Sequence, residues 1–211
     1  MILTRCLMEI KPVKIIKTEI LSDNWYTLRK LTYELHKKDG SVVTLSREAY
    51  DRGNGATILL YHKAQQKVIL TRQFRLPTFI NGNTSGMLIE CCAGLLDNDH
   101  PEDCIKRETE EETGYRIKAV QKVFEAYMSP GSVTEILYFF VAEYEEIMKV
   151  GLGGGLQEEE ENIEVLEIDY QLAYNMIASG EIRDAKTIML LQYLKLEIFT
   201  DQNHIQTTNV L

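Results

Sequence analysis

The stretch Ala93–Tyr115, A-G-L-L-D-N-D-H-P-E-D-C-I-K-R-E-T-E-E-E-T-G-Y, decides how the rest of the chain is read. Its middle is a helix that marks both of its ends. Pro101 suits a first helical position, where its missing N–H has no partner to lose, and Asp99 or His100 stands where a cap belongs. Glu102 and Asp103 set negative charge against the positive end of the helix dipole, and Gly114 can take the left-handed conformation that ends the helix. At about 100° per residue, Glu108, Glu111 and Glu112 share one face. Glu110 points away, and Ile105 with Thr109 forms a narrow stripe that can lie on a sheet.

Three carboxylates on one face repel one another, by a few tenths of a kcal/mol per exposed pair, roughly. A divalent cation reverses that sign, and hard cations such as Mg²⁺ take oxygen ligands shared among carboxylates, waters and substrate phosphates. A solvated acidic face is the competing reading of any E-E-E run. Here the run comes with Arg107, a closing glycine and the preceding A-G-L-L loop.

That combination resembles the Nudix box, G-x5-E-x7-R-E-U-x-E-E-x-G-U, with U a bulky apolar residue. The half from Arg107 to Tyr115 matches, with Thr109 at the first U. The first half departs: Gly94 lies one residue too close to Arg107, and Asp99 or His100 replaces the first glutamate. The resemblance implies metal ligation by Glu108, Glu111 and Glu112 and by the carbonyl of Ala93, with Mg²⁺ the expected ion and Mn²⁺ its alternative.

The remaining composition bounds the answer. The chain has 211 residues, 45 % hydrophobic and 26 % charged, as in a soluble protein with one sizeable domain or a domain with an appendage. A formal charge of −9 argues against nucleic acid as partner. Cys6, Cys91, Cys92 and Cys104 lack metal-type spacing and read as free thiols of a cytoplasmic protein. The start lacks a signal-peptide core, and no run approaches membrane-spanning length.

Residues 13–50 read as antiparallel strands, with Leu31, Tyr33 and Leu35 alternating with polar residues and Asp39-Gly40 as a hairpin turn. Such a sheet needs something to pack on, either the main domain or a second subunit. G-A-T-I-L-L-Y and K-V-I-L-T-R-Q-F are further strands, the second running into Arg72 and Arg75. These arginines suit phosphate or base contact, or a surface ion pair. Glu90 interrupts the apolar M-L-I-E-C-C-A-G, and a buried carboxylate needs an arginine, a metal or a salt bridge. Two strands joined by a turn at Ser129–Gly131 follow the helix, then G-L-G-G-G-L-Q-E-E-E-E-N, read as a flexible acidic loop. Helices after Asp169 and Asp184 close a mixed α/β domain, and the tail from Thr200 is polar.

The likeness extends beyond the box, over roughly residues 14 to 195. Y-D-R-G-N-G-A, R-Q-F-R, L-I-E-C-C-A-G-L-L-D-N-D, Y-M-S-P-G, the G-G-G loop and G-E-I-R-D-A-K-T are similar to the GDP-mannose hydrolase branch of the ADP-ribose pyrophosphatase group of Nudix enzymes. The resemblance implies an α/β/α sandwich with an N-terminal antiparallel strand extension. The expected boundaries are 1–48 for the extension, 49–199 for the Nudix domain and 200–211 for the tail. It also implies a homodimer, and cleavage of a nucleotide sugar at its pyrophosphate. The expected reaction is GDP-mannose to GMP and mannose 1-phosphate; ADP-ribose cleavage and a catalytically weak nucleotide-sugar sensor are the alternatives. Glu161, then Glu159, is the expected general base, with Glu111 also among the catalytic residues. Arg52, Arg72 and Arg75, together with Glu90 and Pro130, are the expected substrate contacts.

Overall fold

The computed structural model describes residues 12–156 and 162–200. The chain divides into two compact units: Met1–Arg52 with Ser129–Glu135, and Gly53–Met128 with Ile136–Leu211.

In the first unit, β1 (Val13–Asp23), β2 (Thr27–His36) and β3 (Val42–Asp51) form an antiparallel sheet in that order. Asp39 and Gly40 turn the chain between β2 and β3; Gly40 sits at φ 84°, and the Ser41 N–H donates to Asp39 Oδ1 at 2.9 Å. The register sets Val13 and Ile15 beside Leu35 and Tyr33, and these beside Val43 and Leu45, so one face of the sheet is apolar. Among the described residues of this unit none is buried.

The connection that follows Met128 is longer than the expected turn. Ser129–Glu135 belongs to this first unit because it completes the backbone pairing at the end of β3: the Tyr50 N–H donates to Ser132 O at 2.7 Å, and the Thr134 N–H to Tyr50 O at 3.0 Å.

The second unit carries the core. Among its described residues are β4 (Gly55–His62), β5 (Lys67–Phe74), β6 (Met87–Glu90), β7 (Cys92–Leu95), β8 (Gln121–Tyr127), β9 (Ile136–Glu143) and β10 (Glu164–Asp169). The sheet runs β10-β5-β4-β9-β8, with β6 paired to β5 and β7 to β4; β4 and β9 are parallel and the other pairs antiparallel. The α-helices among the described residues are α1 (Leu76–Ile80), α2 (Pro101–Thr113), α3 (Tyr170–Ser179) and α4 (Ala185–Tyr193).

β4 is apolar and buried along nearly its whole length because both faces of the sheet are covered. Ala56, Ile58 and Leu60 pack with Ile105 of α2. Leu59 and Tyr61 pack with Ala173 of α3 and with Leu190 and Leu191 of α4. This is an α/β/α sandwich, with α2 as one outer layer and α3 and α4 as the other. The short α1 occupies what reads as a turn-rich connection: Pro77 in its first turn starts a single coil that Asn81 ends.

Candidate active site

α2 begins and ends where its chemistry requires. His100 is the cap, accepting from the Glu102 N–H, and Gly114 closes the helix at φ 77° with its N–H on Glu110 O at 3.0 Å. Buried Ile105 and Thr109 hold the helix to the sheet, and Glu110 turns outward to the Arg116 guanidinium.

The opposite face collects charge. Arg107 donates to Glu108 Oε1 at 2.9 Å, to Glu111 Oε2 at 3.2 Å and to Asp99 Oδ2 at 3.4 Å. Burial works against its charge, but Glu108 and Glu111 outweigh burial and hold the guanidinium above its ordinary pKa. Glu108 lies across the backbone of β7: a Cβ on Gly94 would fall inside 3.0 Å of its Cγ, Cδ and Oε1. Gly94 is therefore required by room rather than by backbone angle, and it sets the Glu108 carboxylate next to the strand that carries Ala93.

Glu112 is 3 % exposed and turns inward. Cys92, on β7, is its neighbour: burial and then the charge of Glu112 push the thiol well above its ordinary pKa, so it stays protonated. The field of Glu112 also reaches Arg75, whose charge is opposed by burial and favoured by Glu90, Glu112 and Asp184.

Around Glu90 the structure builds a buried ion network. Arg75 Nε donates to Glu90 Oε1 at 2.7 Å, and Lys186 Nζ bonds Glu90 Oε2 and reaches Asp184 Oδ1 at 2.9 Å. Burial alone would raise the Glu90 pKa; Lys186 and Arg75 outweigh it and hold the carboxyl below its ordinary value. Asp184 also caps α4 through the Thr187 N–H at 3.0 Å, and Thr187 Oγ1 accepts from the Cys91 N–H at 2.7 Å. Sequence reasoning misses Lys186; the signal is a lysine in D-A-K-T directly behind a helix cap, 96 residues from the carboxylate it joins. Asp184 also lines a cavity of about 850 Å³ with Pro77, Asn81, Asn83, Leu88 and Arg183.

The candidate residues thus divide. Arg72, Arg75, Glu90, Ala93, Glu108, Glu111 and Glu112 belong to the second unit, while Arg52 and Pro130 belong to the first. Arg72 pairs with exposed Glu164 across β5 and β10. Arg52 lies 3.7 Å from Glu135 and over the Tyr26 ring. Glu159 and Glu161 lie outside the described residues.

Among the described residues no three His, Cys, Asp or Glu side chains converge on one point. The cause is visible: Arg107 draws Glu108 and Glu111 to itself, while Glu112 faces Cys92. In kind the donors still fit a hard divalent cation, being carboxylate oxygens on one face of a fixed helix, with Glu108 seated on Gly94 of β7.

Comparison with known proteins decides the family. A family model described as the NUDIX domain matches residues 51–191, two-thirds of the chain. The chain belongs to the Nudix family. A second model, the GDP-mannose pyrophosphatase NudK N-terminal domain, matches residues 12–50. Among relatives, a Salmonella typhimurium protein named GDP-mannose pyrophosphatase is 55 % identical over 189 residues, covering 90 % of this chain and 98 % of the relative. A Klebsiella pneumoniae protein of the same name is 57 % identical over 183 residues, covering 87 % and 91 %. One from Shigella flexneri is 56 % identical over 189 residues, covering 90 % and 98 %. For this Nudix chain, among the described residues no helix is long and apolar enough to cross a membrane.

Proposed function

We propose that the chain hydrolyses the pyrophosphate bond of GDP-mannose, giving GMP and mannose 1-phosphate, with Mg²⁺ as the working cation and Mn²⁺ as a substitute. The observation that carries the reaction class is the carboxylate face of α2, with Glu108 seated in the space that Gly94 leaves. GDP-mannose is chosen because relatives of 55–57 % identity bear that substrate in their names.

Glu108, Glu111 and Glu112, with the carbonyl of Ala93, would hold the cation. When bound, it supplies charge neutralisation at the diphosphate and a more acidic water. The chain's own groups do the rest. Arg107 neutralises Glu108 and Glu111 and keeps them on the working face of a fixed helix. Arg75 is kept charged beside Glu112 by Glu90, which places a planar donor near the carboxylate cluster. Arg72, Arg52 and Pro130 are proposed as further substrate contacts, with Glu90 acting on substrate through Arg75. The proton of the attacking water goes to a carboxylate of the acidic run, Glu161 first and Glu159 second, with Glu111 as the helix residue nearest in role. The described residues on either side of that run support the reading: the N–H of Gly155 donates to Glu111 O at 3.1 Å and that of Ile163 to Gly154 O at 3.2 Å.

The working molecule is proposed to be a cytoplasmic homodimer. Val13 and Ile15 of the first unit are exposed beside Tyr33 and Leu35, and a sheet with a bare apolar face calls for cover, here a second copy. The free thiols Cys91, Cys92 and Cys104 suit a reducing compartment. Sedimentation equilibrium would return twice the 24.3 kDa chain mass; a monomer at micromolar concentration would remove the dimer. The activity is tested by Mg²⁺-dependent release of phosphate from a panel of nucleotide sugars in the presence of a phosphatase. Preference for GDP-mannose is expected. Preference for ADP-ribose would change the substrate, and tight binding without turnover would make the chain a sensor.

A further inference from the structure

The glycine run reads as freedom in the sequence, yet in the structure it is fastened. The last four carbonyls of a helix have no partner within it. In α2, where the Gly114 N–H already takes Glu110 O, these belong to Glu111, Glu112, Thr113 and the cap Gly114. The Gly154 N–H donates to Glu112 O at 2.9 Å and the Gly155 N–H to Glu111 O at 3.1 Å, while the N–H groups of Val150 and Gly151 reach Gly114 O at 2.8 and 3.2 Å. The segment 150–155 therefore caps the turn of α2 that carries the carboxylates.

The fit depends on two bare backbones lying on each other. A Cβ on Gly153 would stand 2.5 Å from Glu112 O, 2.6 Å from Thr113 C and 2.8 Å from Thr113 Cα. A Cβ on Gly114 would meet Gly151 C at 2.7 Å and Gly153 N at 2.9 Å. The obstructing atoms are backbone, so they cannot swing aside as a side-chain tip would. Gly153, Gly154 and Gly155 hold φ of 71°, 110° and 81°, angles that other residues reach only with strain.

We propose that Gly153 is a positioning residue for the carboxylates of Glu111 and Glu112, with segment 150–155 the clamp that fixes their turn of α2. The role rests on the assignment of those carboxylates to a divalent cation. Substitution at Gly153 lifts the segment, releases the carbonyls of Glu111 and Glu112 to water and lets the last turn loosen. The carboxylates then lose their common aim, although their side chains are unchanged.

The test compares the full-length wild type with Gly153→Ala, Gly40→Ala and Glu112→Gln. Gly40 has φ 84° with nothing within 4 Å of a Cβ, so its substitution strains a turn without collision. Mn²⁺ binding is read without nucleotide by electron paramagnetic resonance, alongside kcat and KM for GDP-mannose. Gly153→Ala is expected to weaken Mn²⁺ by about tenfold or more, in the range seen when groups behind metal ligands are changed. It should lower kcat at least as much, with KM nearly unchanged, and excess Mn²⁺ should restore part of the rate. Gly40→Ala should bind Mn²⁺ as the wild type does. Equal Mn²⁺ affinity in Gly153→Ala and the wild type overturns the clamp. Unchanged affinity in Glu112→Gln instead overturns the ligand assignment, so the two failures are told apart. Should Gly153→Ala not fold, amide exchange in the wild type decides: protection at Gly154 and Gly155 rises on adding Mn²⁺ if clamp and cation are coupled, and a constant value overturns the proposal.

Discussion

Gly94→Ala separates the stability of this fold from its chemistry. The new Cβ would lie inside 3.0 Å of three Glu108 atoms, whereas carbons in good contact sit about 3.5–4.0 Å apart. The carboxyl must therefore retreat by about 1 Å or more. The obstructing group is a flexible side chain, and Gly94 is not among the glycines at positive φ, so the backbone itself accepts alanine. The cost to folding is a displaced rotamer, about 0.5–1.5 kcal/mol, plus a half-exposed Arg107–Glu108 pair, about 0.2–1 kcal/mol. For a chain of this length each kcal/mol lowers Tm by roughly 2–4 °C, so a fall of roughly 1–10 °C is expected by calorimetry. The cost to turnover is larger, because a misplacement of about 1 Å at a reacting centre costs about 10²-fold. In a Mg²⁺ titration of GDP-mannose hydrolysis, Gly94→Ala should need more Mg²⁺ and still reach a lower plateau. Wild-type activity at wild-type Mg²⁺ demand would refute the seat of Glu108. Gross unfolding would refute the claim that only a side chain must move.

Three further outcomes follow from the same geometry. Glu90→Gln should cost about 1.5–3 kcal/mol at neutral pH, since Arg75 and the buried Lys186, which keeps Asp184, each lose a charged hydrogen-bond partner. Because the Glu90 carboxyl is held below its ordinary 4.5, its contribution is present above that value and is lost as pH falls through the folded pKa. Denaturation curves for wild type and variant should therefore converge in acid, and a constant gap from pH 7 to 3 would contradict the network. His100→Ala should leave kcat within about threefold, since the 3.4 Å bond to the Glu102 N–H is a helix cap worth about 1 kcal/mol; a collapse would move His100 into the site. Glu161→Gln should lower kcat by about 10²–10⁴ with KM nearly unchanged. A loss at Glu159 alone would shift the register by two residues, and neutrality at both would send the base elsewhere.

Both ends of α2 are legible in the sequence, because Pro101 and Gly114 act through local backbone chemistry. The strands β4 and β5 are legible too, since a strand covered on both faces reads as an unbroken apolar run. What escapes is non-local. Ser129–Glu135 pairs with Tyr50 through backbone groups, which leave no pattern in side chains. Lys186 reaches Glu90 across 96 positions. Gly153–Gly155 look like freedom in a sequence, and the close approach to Glu112 O that demands them exists only once α2 and the segment lie together. The short α1 escapes because a single turn is below the length at which periodicity can be read.

The most direct measurement of the central claim is a ³¹P NMR time course of GDP-mannose with wild type and with Glu112→Gln, each with Mg²⁺ and again with excess EDTA. The account predicts GMP and mannose 1-phosphate in equal amounts from the wild type with Mg²⁺ alone. Glu112→Gln, folded and with Mg²⁺, should be slower by about 10²-fold or more, as expected when cation chemistry carries several kcal/mol of the barrier. Equal rates for the two proteins, or undiminished turnover in EDTA, would contradict it.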